Sequence, residues 1–346
     1  MNGDERIRVL VVDDSAFARK VLRETLAQSP RLEVVGTARD GLEALEKIGE
    51  LRPDVVTLDL VMPNLDGLGV LRALPATDAP RVVVVSISDA DSALGVEALQ
   101  SGAVDLVHKP TALATDRLYE LAGELTAKVI AAASARPAPA RAPVAGPNAG
   151  APRPPAGRGT RLVVIGTSTG GPQALTRLIA ALPRDLPCAV AVALHIPVGY
   201  TEALARRLDE TSLVKVFEAS DGAVLAPGTV AIARGGMHLR VTADGEKIVG
   251  RLDAKPLVAP FCPSVDVLFE SAANAVGAAT LGVVLTGMGN DGVEGARAIR
   301  RAGGRTLIEA ESSCVVYGMP RAVVEADLAD GSAEIDAMAA AIVDNL

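Results

Sequence analysis

Short apolar runs alternate with amphipathic helical patterns along most of the chain, and this alternation limits the fold more than any other feature. It is typical of parallel sheets whose strands are joined by crossover helices. In the N-terminal part, strands are predicted at Ile7–Val12, Leu32–Ala38, Val55–Asp59, Val82–Ser86 and Ala103–His108. Helices are predicted at Ala16–Gln28, Leu42–Leu51, Leu68–Leu74, Ser92–Ser101 and near Asp116–Ala132. The pattern therefore predicts five βα units in this part.

The same alternation resumes after residue 160. The clearer strands are predicted at Arg161–Ile165, Ala189–His195, Val230–Ala233 and Leu281–Leu285, with a weaker one at Thr306–Glu309. Helices are predicted at Pro172–Leu182, Thr201–Leu208, Ser264–Val276 and Val293–Ala302. The chain is thus predicted to be α/β throughout, with a second parallel sheet in its C-terminal part.

A proline-rich stretch separates the two parts. Residues Ala133–Thr160 contain seven prolines and otherwise almost only Ala, Gly and Arg, so they bury too little apolar surface to offset the cost of ordering. We expect domains at residues 1–130 and 161–346, joined by an extended linker at 131–160. The linker is either a plain spacer or, through its arginines, a basic tether that helps one acidic domain dock on the other.

Composition excludes several classes of protein. A chain of net charge −8 with three Tyr, four Phe and no Trp offers no surface for nucleic acid. Its three cysteines are widely spaced and odd in number, which argues against a disulfide framework or a zinc site. The start lacks the pattern of a signal peptide, and no run approaches the roughly 20 apolar residues of a membrane helix. We therefore expect a cytoplasmic protein that does not insert into a membrane.

Polar side chains lie at the ends of four predicted strands in the N-terminal domain. They are Asp13, Asp14, Asp59, Ser86 and Lys109. Ligands of open parallel sheets gather beyond these ends, and three converging carboxylates favour Mg²⁺, which prefers oxygen ligands. Asp59 could then attack a phosphoryl donor, while Ser86 and Lys109 hold the phosphoryl oxygens. Taken singly, each residue could instead be a helix cap or a surface charge.

The N-terminal domain resembles the receiver domain of two-component response regulators over residues 5–128. The matching segments are VLVVDDS (Val9–Ser15), VVTLDLVMPNLDG (Val55–Gly67), VVVVS (Val82–Ser86) and HKP (His108–Pro110). The resemblance implies a flavodoxin-like (βα)5 fold, phosphorylation of Asp59 by a histidine kinase, and Mg²⁺ bound by Asp14, Asp59 and the carbonyl of Val61, with Asp13 assisting. Receivers usually carry an aromatic switch residue shortly before the Lys–Pro pair, where this chain has Leu106.

Ser168 is the first candidate catalytic residue of the C-terminal domain. It lies in IGTSTGGPQAL, directly after a predicted strand, where glycines permit a tight turn and Pro172 suits the start of a helix. Free N–H groups at a helix N-terminus can hold an oxyanion, as in a nucleophile elbow, although the G-x-S-x-G pattern is absent. Ser168 could equally cap the helix, or the loop could bind phosphate.

A nucleophilic serine needs a base, and the chain has three histidines. His108 lies in the N-terminal domain, His238 follows a glycine turn, and His195 ends an apolar strand. Since residues at strand ends converge, His195 is the better candidate. Asp291, in LTGMGNDGVEGA, could then accept a hydrogen bond from its imidazole and fix the tautomer.

The same segment offers an alternative. Gly287, Gly289 and Gly292 form a G-x-G-x-x-G pattern, and Glu309 lies 20 residues beyond Gly289, as a ribose-binding acid would in a dinucleotide fold. The charge of Asp291 inside the turn would repel a pyrophosphate, and the pattern does not open the domain. Dinucleotide binding therefore ranks below hydrolysis. A non-catalytic binding module governed by the receiver is the remaining alternative.

The STGGP, HIPVGYT and TGMGNDG segments resemble the chemotaxis protein-glutamate methylesterases of the CheB family, over roughly residues 161–345. This implies a doubly wound serine hydrolase domain that cleaves γ-glutamyl methyl esters on chemoreceptors and in some members deamidates glutamines. Ser168, His195 and Asp291 would be the catalytic residues, and the backbone N–H groups of Thr169 and Met288 the oxyanion donors. The receiver would cover the catalytic cleft until it is phosphorylated.

Overall fold

Each half of the chain folds on its own parallel sheet, as the alternation of strands and helices predicted. The computed structural model describes residues 6–75, 77–86, 92–109, 115–135, 159–255 and 259–346. The chain divides into two units after Ala135. Most of the predicted linker, residues 136–158, and Pro110 lie outside the described residues. None of the described helices is long and apolar enough to cross a membrane.

The N-terminal unit is a five-stranded parallel sheet in the order β2-β1-β3-β4-β5, which is the flavodoxin-like order. Its strands are β1 (Ile7–Val12), β2 (Leu32–Ala38), β3 (Val55–Leu58), β4 (Arg81–Ser86) and β5 (Asp105–His108). Its helices are α1 (Ala16–Ala27), α2 (Gly41–Leu51), α3 (Gly67–Ala73), α4 (Ser92–Gln100) and α5 (Thr115–Ala133). The central strands β3 and β4 are buried along almost their whole length because helices cover both faces of the sheet.

Short polar side chains start the first three helices of this unit. Ser15, Asp40 and Asp66 precede α1, α2 and α3, and each accepts a hydrogen bond from a backbone N–H in the first turn. Such caps satisfy N–H groups that have no partner within the helix. They fix where each helix begins, and so they fix the loops that follow β1, β2 and β3.

The C-terminal unit contains a seven-stranded parallel sheet and a separate antiparallel hairpin. Its strands are β6 (Leu162–Thr167), β7 (Ala189–Leu194), β8 (Lys215–Glu218), β9 (Thr229–Ile232), β10 (His238–Asp244), β11 (Lys247–Asp253), β12 (Thr280–Val284), β13 (Arg305–Glu309) and β14 (Gly331–Ala333). Its helices are α6 (Gly171–Ala180), α7 (Thr201–Thr211), α8 (Val265–Val276), α9 (Val293–Arg301), α10 (Met319–Glu325) and α11 (Ile335–Val343). Hairpin β10–β11 packs against α8 rather than joining the sheet.

The strand order of the large sheet is β14-β13-β12-β6-β7-β9-β8. The chain builds one side of the sheet from β6 to β9 and then returns to add β12, β13 and β14 on the other side. The fold is therefore doubly wound, as predicted. The switch between the two directions lies at β6 and β12, which are neighbours. Ligand sites of such sheets lie at this position, beyond the carboxyl ends of the strands.

Candidate functional site

Three of the predicted phosphoacceptor residues meet at the carboxyl edge of the N-terminal sheet. The Lys109 Nζ lies 2.9 Å from Asp13 Oδ2 and 2.7 Å from Asp59 Oδ2. Asp13 and Asp59 are buried, and this burial raises the pKa of both carboxyl groups despite the nearby ammonium. Burial disfavours the charged form of Lys109, but the two carboxylates more than compensate and raise its pKa. Lys109 therefore neutralises part of a buried acidic pocket.

The acidic pocket also has the donor set of a divalent metal site. Carboxylate oxygens of Asp13, Asp14 and Asp59 all lie within 4.8 Å of one another. One ammonium cannot balance three carboxylates, and oxygen ligands at this spacing suit Mg²⁺. Ser86 is buried at the end of the adjacent strand β4, and its carbonyl accepts a 2.7 Å hydrogen bond from the N–H of Lys109. The residues present thus fit a metal-assisted phosphoacceptor site.

Leu106, which occupies the usual aromatic switch position, is buried in β5. Its carbonyl accepts a 2.8 Å hydrogen bond from the Nζ of Lys128, on α5. The same ammonium lies 3.0 Å from carboxylate oxygens of both Asp105 and Glu124. Burial disfavours the ammonium, but these two acids outweigh it and raise the pKa of Lys128. An ion cluster of buried Lys128, buried Asp105 and exposed Glu124 therefore connects β5 to α5.

In the C-terminal unit, Ser168 lies one residue beyond β6, and its side chain does not cap the following helix. The N-cap of α6 is Gly170, whose φ of 80° is left-handed and which makes no side-chain cap hydrogen bond. The alternative that Ser168 is merely a capping serine is therefore wrong. Ser168 is 6% exposed, and its N–H donates to the carbonyl of Thr286 over 3.1 Å. This bond ties the serine turn to the loop after β12.

The loop after β12 approaches the serine turn too closely for any side chain. A Cβ on Gly287 would lie 2.9 Å from the Cβ of Ser168 and 2.3 Å from the sulfur of Met319. Thr286 strengthens the junction because its hydroxyl donates to the carbonyl of Thr169 at 3.0 Å. Its own N–H donates over 2.8 Å to Glu309, a buried acid at the end of β13.

His195 and Asp291 form the hydrogen bond that the sequence analysis proposed, and the structure specifies the nitrogen. The Nε2 of His195 lies 2.8 Å from Asp291 Oδ2. The Nδ1 is buried and has no hydrogen-bond partner among the described residues, so no bond to the Ser168 hydroxyl is formed. Phe261 stacks on the imidazole, with ring centroids 4.1 Å apart and planes 13° apart. The imidazole is thus held on two sides, and its Nδ1 remains available.

Strand pairing places His195 beside Ser168. Strands β6 and β7 are parallel neighbours in which Thr167 lies opposite Leu194. Ser168 and His195 are the next residues on these two strands, and the N–H of His195 donates to the carbonyl of Thr167 over 3.1 Å. Hydrogen bonds between a catalytic serine and its base are often absent in the free enzyme and form only when substrate binds. The arrangement is therefore compatible with proton transfer to Nδ1.

Asp291 is held by the N-terminus of helix α8. Its carboxylate accepts hydrogen bonds from the N–H groups of Val265 at 2.7 Å and Asp266 at 2.9 Å, and from the hydroxyl of Ser264 at 3.0 Å. Burial disfavours its ionised form, but His195 and these backbone donors outweigh burial and hold the pKa of Asp291 below its usual value. Asp291 is therefore a fixed, negatively charged partner for the imidazole.

The competing assignments fit the structure less well. His238 is buried, and its Nδ1 accepts a 3.1 Å hydrogen bond from the N–H of Ser264. The N–H of Gly292, in the G-x-G-x-x-G pattern, donates to Asp266 Oδ1 at 2.8 Å and so does not face a pyrophosphate. Glu309 is buried against Thr286, where it cannot reach a ribose. A dinucleotide site at this loop is therefore disfavoured.

One proposed oxyanion donor, Thr169, lies in the serine turn itself, and the other, Met288, lies in the loop after β12. Thr169 is buried, and Met288 is partly exposed immediately after Gly287. In the described part of the chain, the N–H of Met288 donates to no other group. A backbone N–H next to the serine, without an internal partner, can stabilise a developing oxyanion.

Sequence reasoning missed two residues of this site, Phe261 and Asp266. The PSVD segment does show a capping serine, Ser264, which predicts that an acid in the first turn of α8 favours the helix. That signal does not show that Asp266 faces Asp291, because the contact joins two distant segments of the chain. For Phe261 the sequence offers no signal, since it lies in a loop without regular structure.

Comparison with known proteins gives a family match for each unit of the chain. The chain matches the family model for CheB methylesterase over residues 163–342 and the model for the response regulator receiver domain over residues 9–121. A Myxococcus xanthus protein named protein-glutamate methylesterase/protein-glutamine glutaminase 5 is 62% identical over 341 residues, covering 96% of each chain. A Geobacillus kaustophilus protein of the same name, without the number, is 44% identical and covers 97% of this chain and 98% of its own.

A solved structure is also similar. The crystal structure of the Thermotoga maritima CheB methylesterase catalytic domain matches with a TM-score of 0.53 and 39% identity, covering 54% of this chain and 98% of that one. The family match spans the strand ends that carry Ser168, His195 and Asp291. The high identity extends across both units of the chain. On these grounds, the chain belongs to the CheB methylesterase family and carries a response regulator receiver domain ahead of the methylesterase domain.

Proposed function

We propose that this protein hydrolyses γ-glutamyl methyl esters on chemoreceptors, giving glutamate and methanol, with Ser168 as nucleophile. The observation that carries the proposal is the buried imidazole of His195, bonded through Nε2 to the carboxylate of Asp291 at 2.8 Å. Among the described residues its Nδ1 has no hydrogen-bond partner, and His195 directly follows β7, the parallel neighbour of the strand that Ser168 directly follows. Relatives named protein-glutamate methylesterase/protein-glutamine glutaminase support this chemistry.

In the acylation step, the hydroxyl oxygen of Ser168 attacks the γ-carbonyl carbon, and its proton moves to Nδ1 of His195. Asp291 keeps the other proton on Nε2 and stabilises the imidazolium that forms. The carbonyl oxygen becomes an oxyanion, which the N–H groups of Thr169 and Met288 stabilise by about 3 kcal/mol each. The intermediate then collapses, and His195 returns the proton to the departing methoxide, releasing methanol.

Deacylation reverses the roles. Water attacks the ester between Ser168 and the γ-carbonyl, His195 accepts a proton from that water, and the proton returns to the Ser168 oxygen as the ester breaks. The product is the glutamate side chain. A glutamine side chain would follow the same path with ammonia as the leaving group, so we also propose deamidation of receptor glutamines.

The experiment that tests the esterase proposal is methanol release from receptor membranes carrying radiolabelled methyl esters. We expect Ser168→Ala to lower the rate by at least about a thousandfold, because no other group can form the acyl-enzyme. Ser312→Ala is the matched control, since Ser312 is an exposed serine of the same unit that bonds to Glu334. Turnover of Ser168→Ala at near the wild-type rate would contradict the proposal.

We also propose that a histidine kinase of the chemotaxis pathway phosphorylates Asp59. Asp14, Asp59 and the carbonyl of Val61 would hold Mg²⁺, with Asp13 assisting. When bound, this ion would neutralise negative charge on the phosphoryl group and on the acids around it. Lys109, which already contacts Asp59 at 2.7 Å, would then hold a phosphoryl oxygen together with the hydroxyl of Ser86.

We propose that the unphosphorylated receiver inhibits the methylesterase domain and that phosphorylation of Asp59 relieves the inhibition. The family membership of both units and their separation by a proline-rich stretch support this regulation. The energetic coupling required is modest, since 1–3 kcal/mol changes activity about 5- to 150-fold.

A further inference from the structure

Two carboxyl groups, not one, lie behind the imidazole of His195. Asp266 is in the first turn of α8, and its Oδ1 accepts hydrogen bonds from the N–H groups of Gly292 at 2.8 Å and Gly295 at 2.7 Å. These N–H groups belong to the start of α9. Asp291, which precedes the N-cap residue of α9, in turn accepts from the first N–H groups of α8. The first N–H groups of α8 therefore donate to the carboxylate of Asp291, and those of α9 donate to the carboxylate of Asp266.

This exchange places two like charges next to each other. The carboxyl groups of Asp266 and Asp291 are close enough to interact directly, and burial followed by the charge of Asp291 raises the pKa of Asp266 to about 6. Asp291 itself keeps its charge because it also bonds to His195. Within this pair, Asp266 is therefore the acid that takes up a proton as the pH falls.

Several other ionisable groups lie on the elements packed around Asp266, and each has its own environment. Besides Asp291 and His195, they are His238, Glu270, Glu294, Arg297, Arg300, Arg301, Arg240 and Asp244. Arg300 pairs with Asp327 and Asp330, Arg240 pairs with Asp253, and Arg301 and Asp244 are exposed. His238 is engaged by the N–H of Ser264, Glu270 and Glu294 are exposed, and Arg297 pairs with Glu294 at 3.3 Å. Among the described residues, Asp291 is bonded both to the N–H of Asp266 and to His195, so Asp291 and His195 are placed to respond to the charge of Asp266.

We propose that Asp266 is a positioning residue of the esterase whose negative charge strengthens Asp291 as the partner of His195. When Asp266 is ionised, its charge adds to that of Asp291 and favours the imidazolium formed during acylation. When Asp266 is protonated, it can donate a hydrogen bond to Asp291 and so weaken that carboxylate as an acceptor from Nε2. The inference rests on the proposed Ser168–His195–Asp291 mechanism.

The test is the pH dependence of methanol release by the full chain, comparing wild type with Asp266→Asn. The amide oxygen still accepts from Gly292 and Gly295, but it carries no charge. We expect the ratio of wild-type to variant kcat/KM to be near one at about pH 5 and to rise to about ten above pH 7, because only ionised Asp266 adds its negative charge beside Asp291. If Asp266 had only a structural role in holding the start of α9, Asp266→Asn would lower kcat/KM by the same factor at every pH.

Two further variants keep the test decisive. Asp266→Ser supplies a second neutral acceptor if Asp266→Asn folds poorly, and the same pH-dependent ratio is expected. Asp336→Asn is the matched control, because Asp336 is an exposed acid in the first turn of α11 that pairs with Arg177. Its ratio should stay at one throughout the pH range.

The outcomes separate the two proposals. A ratio that is constant with pH, or equal to one at every pH, overturns the role of Asp266 while Ser168→Ala remains inactive. Normal activity in Ser168→Ala would instead overturn the proposed function itself. A ratio that rises with pH, together with an inactive Ser168→Ala, supports both.

Discussion

Phe261 controls the surroundings of the imidazole without taking part in proton transfer. Its ring stacks on His195 at a centroid distance of 4.1 Å, and an aromatic face stabilises a cation above it by about 0.5–2 kcal/mol. Because His195 becomes an imidazolium during acylation, we expect Phe261→Ala to lower kcat about fivefold with a smaller effect on KM. Methanol-release kinetics measure both constants.

The control for this prediction is Phe261→Tyr, which keeps the aromatic face and is expected to stay within about twofold of wild type. If Phe261→Ala kept the same kcat as Phe261→Tyr, the stacked ring would contribute nothing to the reaction.

Single residues at strand ends were the most predictable part of the site. Ser168, His195 and Asp291 each follow a strand whose apolar run is evident in the sequence, and parallel strands bring their carboxyl ends together. Which imidazole nitrogen of His195 bonds to Asp291 could not be predicted, because it depends on the rotamer of the His195 side chain. Asp266 also escaped prediction, since its role depends on how two helices separated in sequence meet.

At the scale of elements, the ion cluster of Lys128 fastens α5 to the receiver sheet. Lys128 and Asp105 side chains are 7% and 8% exposed, and their ion pair is 3.0 Å long. Removal of one partner leaves a buried charge uncompensated, which typically costs about 3–5 kcal/mol. We expect Lys128→Ala to lower the free energy of unfolding of the receiver by about 3 kcal/mol.

Urea denaturation of the full chain, followed by a probe placed in the receiver, measures this loss. The matched control is Lys20→Ala, since Lys20 pairs with Glu24 at 4.0 Å on the exposed face of α1, and exposed pairs contribute about 0–1 kcal/mol. Equal effects of the two substitutions would show that the buried cluster does not stabilise the receiver.

The apolar pattern of the sequence correctly predicted the long strands at the centre of each sheet. Strands β1, β4, β6 and β7 are buried along their apolar runs. The edge strands β8 and β14 and the second hairpin strand β11 were not predicted, nor were helices α10 and α11. Strand β14 has three residues, Gly331–Ala333, which is too short for a period-2 pattern to be visible.

For the whole molecule, the regulatory proposal predicts how activity changes when the receiver is removed. We expect a chain beginning at Arg161 to release methanol about 5- to 150-fold faster than the unphosphorylated full chain. A small-molecule phosphodonor with Mg²⁺ should raise the activity of the full chain toward the same level. Parallel methanol-release assays on the two proteins make the comparison.

Asp59→Asn is the control, because the full chain carrying it has no phosphoacceptor and should not respond to the phosphodonor. A truncated chain that is no faster than the unphosphorylated whole would contradict inhibition by the receiver.

The α/β class and the two sheets were predictable because each follows from a local pattern that repeats along the sequence. Regulation is a property of both units together, and no local pattern encodes its strength.

The proposed mechanism requires Ser168 to form a covalent intermediate with the help of His195, and labelling by a fluorophosphonate probe tests this directly. Digestion and mass spectrometry of the labelled full chain should place the probe on Ser168. We expect His195→Gln to abolish the labelling and Ser312→Ala to leave it unchanged. Labelling at another residue, or labelling of Ser168 at an equal rate without His195, would contradict the mechanism.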